Sequence, residues 1–107
     1  MLCHVATLGR GLRVEFEWDE EKRLSNIDKH KIDFLVARVV FDGRPFVDFG
    51  SSYELEVRVL RTAILDDGRL ATVVWTRRDA NIRIISARRA HGPEERTYRQ
   101  IHHGGAQ

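Results

Sequence analysis

Alternating polar and apolar residues mark the first element that can be read from the chain. Residues 13–18, RVEFEW, place three apolar side chains on one face and predict a short β-strand. Asp19 follows as a helix N-cap, and two glutamates come next, where the helix dipole favours carboxylates. A first helix is therefore expected to run to Lys29 or His30.

The next segments give less decisive patterns. The first helix carries only a thin apolar stripe through Leu24 and Ile27. Asp33 suits the N-cap of a second helix over residues 34–41, FLVARVVF, although this run is apolar enough to be a strand. Residues 45–49 begin with proline and predict a short edge strand, where the missing donor is tolerated.

The middle of the chain predicts an antiparallel meander. Three β-rich runs cover residues 56–65, 70–76 and 82–87. The first two are separated by the turn sequence DDG at 66–68, and the last two by RRDAN at 77–81. Short turns of this kind join neighbouring antiparallel strands.

The two ends of the chain complete the expected fold. Gly92 and Pro93, followed by two glutamates, predict the start of a C-terminal helix. Residues 1–12 show no period and are expected to be a flexible leader, and 104–107 a frayed tail, around a single domain over 13–103. The order β-α-α-β-β-β-β-α predicts an α+β fold: an antiparallel meander with two N-terminal helices and a C-terminal helix, all on one face.

Composition narrows the class of protein. Hydrophobic residues make up 42% and charged residues 32% of the 107, as in ordinary globular proteins. A single cysteine excludes an internal disulfide framework. No run approaches the roughly 18 to 20 apolar residues of a membrane span, and no signal-peptide core is present, so a cytoplasmic protein is expected.

The distribution of charge says more than the net value of +2. Residues 77–107 contain seven arginines and three acidic residues, so the excess positive charge lies in the last third. Of the 18 basic residues, fifteen are arginine. The planar guanidinium matches phosphate oxygens, which favours a partner that carries phosphates.

Several side chains could together cleave RNA without a metal. That reaction needs a base for the 2′-hydroxyl, cations for the charge on the scissile phosphate and an acid for the 5′-oxygen. His30 could be the base, Arg83 and Arg88 could stabilise the phosphate, Tyr98 could supply a hydroxyl or stack on a base, and Glu56 could take a proton or orient an arginine. Each also has a purely structural alternative, as a helix-end cation, a packing anchor or an ion-pair partner.

Further cations and one hydroxyl are expected to contact RNA. They are Arg58, Arg77, Arg78, Ser86, Arg89, Arg96 and Arg99. No metal or cofactor is expected, because the chain has no cysteine pair, no helically spaced histidine pair and no glycine-rich phosphate loop.

Several motifs, in order, resemble one known family. They are FEWDEEKRLSNIDKHKIDF, VVFDG, EVRVLRTAILDDGRLATVVWTRR and IRIISARRAHGPEERTY. Together they resemble the BrnT family of ribonuclease toxins from type II toxin–antitoxin modules, over about residues 15–99. The chain departs from the family pattern in two places: Lys31 stands where a glycine commonly follows the histidine, and Thr62 and Ala63 stand where a glycine often breaks the strand.

The resemblance implies a RelE-like fold that binds RNA on the basic side of its sheet. It also implies a BrnA-type antitoxin, a DNA-binding protein that neutralises the toxin and gives operator binding as a complex. The family's functional positions that this chain matches are His30, Glu56, Arg58, Arg83, Ser86, Arg88 and Tyr98.

Two other functions fit the same residues. The basic surface could belong to a module that binds RNA or a protein partner without cleaving anything, since cationic surfaces that only bind are common. The chain could also act mainly as a corepressor on operator DNA, with the sequence read by its partner because no DNA-reading helix motif is present.

Overall fold

The computed structural model describes residues 2–8, 12–53 and 56–102, with side chains for 15–51 and 56–102. The fold is α+β. The strands are β1 (Leu2–Leu8), β2 (Leu12–Trp18), β3 (Phe46–Tyr53), β4 (Glu56–Ile64), β5 (Leu70–Arg78) and β6 (Asn81–Arg89). The helices are α1 (Glu20–His30), α2 (Phe34–Ala37) and α3 (Gly92–His102), with a 3-10 turn at Arg38–Phe41.

The sheet is mixed, with strand order β1-β2-β6-β5-β4-β3. Strands β3 to β6 form the expected antiparallel meander, with β3 at the edge. The expectation of an entirely antiparallel sheet is wrong, because β2 pairs in parallel with β6 through Phe16–Ile82 and Glu17–Arg83. A parallel neighbour requires a crossover, and α1, α2 and the meander together provide it.

Part of the expected flexible leader is a strand. Residues Leu2–Leu8 form β1, which pairs antiparallel with β2 from Leu2–Trp18 to Leu8–Leu12. This strand is stabilised by pairing with the edge of β2, and the sequence of residues 1–12 alone does not indicate that pairing. The expected frayed tail, 104–107, lies outside the described residues, and the domain boundaries at 13 and 103 stay a prediction.

Both N-terminal helices begin where their caps predicted. Asp19 accepts hydrogen bonds from the backbone N–H groups of Glu21 and Lys22, and Asp33 accepts one from Leu35. Lys31 caps the C-terminal end of α1: it adopts φ 60° and donates its N–H to the Ile27 carbonyl oxygen. Lys31 thus occupies the left-handed position for which glycine is the usual residue.

The main core lies between one face of the sheet and the N-terminal helices. Phe16 and Trp18 from β2 pack there with Ile32, Phe34 and the buried side chains of the meander. The predicted apolar stripe of α1 is wrong, since Leu24 is 55% exposed and the buried residue of the helix is Asn26.

Helix α3 lies on the opposite face of the sheet, so the expectation that all helices share one face is wrong. In β5, Val73 belongs to the main core, and the neighbouring Thr72 donates a hydrogen bond to Glu94 of α3. Because adjacent strand residues point to opposite faces, α3 and the N-terminal helices sandwich the sheet. Tyr98 anchors α3 and is 3% exposed.

The loop expected at 77–81 is shorter than predicted. Strand β5 continues through Arg77 and Arg78, and the turn contains Asp79, with φ 55°. The β5–β6 ladder shifts its register at one point, where Val74 pairs with Ser86 and the next residue, Trp75, pairs with Ile84. Ile85 is therefore the extra residue of a bulge.

Candidate nucleic-acid interface

Two arginines stand on the sheet face beside α3. Arg83 of β6 lies opposite Thr76 of β5, and the β4–β5 register, extended by one residue, places Arg58 on the other side of Thr76. Because β4 and β6 are two strand spacings apart, the backbones of Arg58 and Arg83 are separated by roughly 10 Å across the strands. Ser86 of β6 points to the same sheet face as Arg83, because their partners in β5, Val74 and Thr76, are two residues apart. We call Arg58, Thr76, Arg83 and Ser86 the arginine face.

Each arginine of this face binds a carboxylate. Arg83 Nη1 donates to Glu17 Oε2 at 3.1 Å, and Arg58 Nε donates to Glu56 Oε2 at 2.8 Å. Asn81 also donates to Glu17, at 3.1 Å. The hydrogen bond from Asn81, reinforced by Arg83, holds the pKa of Glu17 below its usual 4.5 although burial opposes this. Glu17 is therefore an ionised group that orients Arg83.

Arg88 forms an ion pair with Glu94 of α3. Its guanidinium donates to both carboxylate oxygens of Glu94 at 2.9 Å, and Glu94 also accepts from Thr72 Oγ1 and the His91 N–H. Burial alone would raise the pKa of Glu94, but Arg88, His91 and Thr72 together lower it to about 2. The pair ties α3 to β6.

The expected location of Arg88 and Arg89 beyond the strand is wrong. Both lie within β6, with Arg88 opposite Thr72 and Arg89 opposite Ala71. They consequently point to opposite faces of the sheet. The structure does not bring them together as one phosphate-binding patch.

His30 lies at the end of α1, in a cavity of about 180 Å³ at the open edge of β6. We call this cavity the α1 hollow. It is lined by Lys22, Ser25, Asn26, Lys29, His30, Ile85 and Ser86. Ser86 therefore belongs both to the hollow and to the arginine face.

The other two candidate proton-transfer groups line different cavities. Tyr98 lies with Arg44 and Pro45 in a cavity of about 500 Å³, and its ring packs 4.8 Å from that of His102. Glu56 lines a cavity of about 490 Å³ beside Trp75. The structure thus does not place His30, Glu56 and Tyr98 in one cavity.

The remaining predicted cations are distributed over the surface. Arg77 and Arg78 are exposed and line the same cavity as Glu56. Arg99 donates to Glu95 at 3.0 Å on the exposed side of α3, and Arg96 is exposed on the same helix.

The described residues contain neither a metal-binding cluster nor a membrane-spanning helix. Within residues 2–8, 12–53 and 56–102, no three His, Cys, Asp or Glu side chains form a group that could hold a metal ion. In the same ranges, no helix has the length and apolar character that crossing a membrane requires.

Comparison with known proteins identifies the family. The family described as "Ribonuclease toxin, BrnT, of type II toxin-antitoxin system" matches residues 18–94. The chain belongs to the BrnT family. The crystal structure of the Brucella abortus ribonuclease toxin BrnT is similar in fold, with a TM-score of 0.58 and 23% identity over 71% of this chain and 95% of that chain. A comparison with curated proteins found no match.

The matched region of this BrnT family member runs from the end of β2 into α3 and contains Arg58, Arg83 and the α1 hollow. Glu17 lies one residue before it. Sequence reasoning assigned no role in the site to Glu17, Glu94 or the two lysines of the hollow. Strand alternation does put Glu17 opposite the buried side of β2, but its pairing with Arg83 depends on the β2–β6 contact.

Proposed function

We propose that this BrnT family member is a metal-independent endoribonuclease whose reacting phosphate binds on the arginine face. The observation that carries the proposal is the pair of partly buried cations, Arg58 and Arg83, each held by a carboxylate on the same sheet face. Preorganised cations of this kind stabilise charge that develops on a phosphate. The proposal places the toxin in the cytoplasm, with RNA bound to the sheet in a RelE-like manner.

The chemistry is an internal transfer at phosphorus. The RNA 2′-oxygen loses its proton to a base and forms a bond to phosphorus, while the bond to the 5′-oxygen breaks and that oxygen takes a proton. The products are a 2′,3′-cyclic phosphate and a 5′-hydroxyl. Arg83 and Arg58 would neutralise the phosphate oxygens during this exchange.

Glu56 is our candidate for the base. Its side chain is 31% exposed, whereas that of Glu17 is 9% exposed, so substrate can reach Glu56 more readily. In this proposal Glu17 positions Arg83, and Arg88 and Tyr98 hold α3 in place. His30 lies in the α1 hollow, next to the arginine face rather than on it.

The test is cleavage of RNA by the purified chain in the presence of EDTA. We expect cleavage to continue and to leave cyclic or 3′-phosphate ends. Arg83→Ala should lower the rate by roughly 10²- to 10³-fold. The matched control is Arg69→Ala, which removes an arginine from the turn after β4, where it pairs with Asp67, and should leave the rate near that of the wild type.

Three outcomes would overturn the proposal. Loss of cleavage on chelation would indicate a metal-dependent enzyme. Full activity in Arg83→Ala would remove the arginine face from the mechanism. Expression in bacteria without growth arrest or RNA decay would favour the alternative, a non-catalytic module that binds RNA or a protein partner.

We further propose that a BrnA-type antitoxin neutralises the chain by presenting carboxylates to the arginine face. Anionic groups would replace RNA phosphates there, so association should be slower at high salt. Operator DNA should be bound by the toxin–antitoxin complex and not by this chain alone, which a gel shift can check. Specific operator binding by the isolated chain would contradict this division of roles.

A further inference from the structure

We propose that the α1 hollow is a second phosphate-binding subsite, which holds the backbone of single-stranded RNA beside the arginine face. This inference rests on the proposed function for the identity of the ligand. Lys22, Ser25, Lys29 and His30 contribute to the hollow from one side of α1, because residues three, four and seven apart share a helix face. Ser86 closes it from β6.

The charge of the hollow differs from that of the arginine face. No carboxylate lines it, and within the described side chains neither Lys22 nor Lys29 forms an ion pair. On the arginine face, by contrast, a phosphate must compete with Glu17 for Arg83 and with Glu56 for Arg58. A phosphate entering the hollow meets positive charge without displacing a carboxylate, so binding there is favourable before any chemistry begins.

The hollow is built into the fold rather than formed by mobile side chains alone. Asn26 at its floor donates to the carbonyl oxygens of Ala87 and Ile32 at 2.8 Å and accepts the Ala87 N–H at 3.1 Å. These bonds fix α1 to the edge of β6 that β2 leaves open. The spacing between the lysines of α1 and Ser86 is therefore set by the backbone.

The hollow meets the arginine face at Ser86, which lines the hollow and belongs to the face. Ser86 and Arg83 point to the same side of β6 and, with the bulge at Ile85 between them, are separated by roughly 7 to 10 Å. One RNA strand can thus place a phosphate at Arg83 and a neighbouring phosphate in the hollow. The cavity of about 180 Å³ suits a single phosphate group with the Ser25 hydroxyl as an additional donor, while the Ser86 hydroxyl donates to Asn26 Oδ1 at 3.4 Å.

The experiment compares binding of a fluorescein-labelled 2′-O-methyl oligoribonucleotide, which cannot be cleaved, by fluorescence anisotropy across a salt series. For Lys22→Gln/Lys29→Gln we expect weaker binding and a slope of log K against log[salt] that is less steep by about 0.7, the value for one phosphate contact on a single strand. With cleavable RNA, the same variant should raise KM severalfold and leave kcat unchanged.

The matched control is Lys31→Gln. Lys31 lies two residues after Lys29, at the C-cap of the same helix, and donates to the Asp28 carbonyl instead of lining the hollow. It should keep the wild-type salt slope. A second variant, Ser25→Asp, places a carboxylate in the hollow without removing a lysine. Its loss of RNA affinity relative to wild type should be larger at low salt than at high salt.

An unchanged slope in the double lysine variant would overturn the inference, as would an equal loss in Lys31→Gln, which would indicate net charge rather than a site. The two proposals fail separately. Wild-type protein that binds the 2′-O-methyl strand with the predicted lysine dependence but cleaves no RNA would refute the ribonuclease proposal and support the subsite.

Discussion

Replacing Glu94 by glutamine tests the ion pair that anchors α3 to the sheet. The Glu94 carboxylate accepts two hydrogen bonds from Arg88, one from Thr72 and one from the His91 N–H. Glutamine has the same shape but one acceptor oxygen and no charge. Arg88 would keep its position without the counter-charge that its burial requires.

The size of the effect follows from the pKa of Glu94. Its value falls from 4.5 to about 2 on folding. A shift of this size corresponds to roughly 3 kcal/mol in the free energy of unfolding. Because the folded state has the lower pKa, this stabilisation is complete above about pH 4.5 and is lost as the pH falls through about 2.

Urea unfolding at neutral and acidic pH measures the effect. We expect Glu94→Gln to lower the free energy of unfolding by roughly 3 kcal/mol at pH 7, and the difference from wild type to shrink towards zero as the pH falls to about 2. Glu95→Gln is the matched control. Glu95 pairs with Arg99 on the exposed side of the same helix, with side chains 45% and 53% exposed, so its loss should cost less than about 0.5 kcal/mol.

Two results would refute the reasoning. A difference between Glu94→Gln and wild type that does not change with pH would show that the loss comes from packing rather than from the ionised carboxylate. Equal destabilisation by Glu94→Gln and Glu95→Gln would show that burial and Arg88 add nothing to an ordinary surface ion pair.

Two further predictions concern α1. Lys31→Gly should raise the free energy of unfolding by about 0.5 to 1 kcal/mol, because Lys31 has φ 60° and glycine adopts that conformation without a steric cost. Lys29→Gly, inside the helix, should lower the free energy of unfolding by about 1 kcal/mol in the same urea titration. A change of the same sign in both variants would contradict the cap assignment. Asn26→Ala should destabilise the fold by roughly 2 to 4 kcal/mol, since it leaves the buried Ala87 N–H and two carbonyl groups without their partner. Ser25→Ala, at an exposed position of the same helix, should change stability by less than about 0.5 kcal/mol, and a comparable loss would show that the Asn26 bonds are not responsible.

Much of the candidate site depended on pairings that sequence reasoning does not reach. The facing of Arg83 away from its isoleucine neighbours follows from alternation, and the structure confirms it. The same rule places Arg88 and Arg89 on opposite faces, once both lie inside the strand. Which carboxylate each arginine meets depends on strand order and on the position of α3, neither of which alternation specifies.

The sequence by itself determined the local elements. Asp19 and Asp33 cap the helices they precede, the turn at 66–68 joins two antiparallel strands, and α3 begins at Gly92. These features depend on hydrogen bonds and backbone preferences among residues only a few positions apart, so a short window of sequence contains their cause.

Only the tertiary structure decided which distant surfaces meet. Buried Asn26 is hydrogen-bonded to Ala87, 61 residues further along the chain, and Glu17 is hydrogen-bonded to Arg83, 66 residues further along. The parallel contact of β2 with β6 and the placement of α3 on the second face likewise join elements with no local relation. Such contacts are selected by the packing of the whole chain, because a buried polar group or a strand edge is stable only where a matching partner arrives.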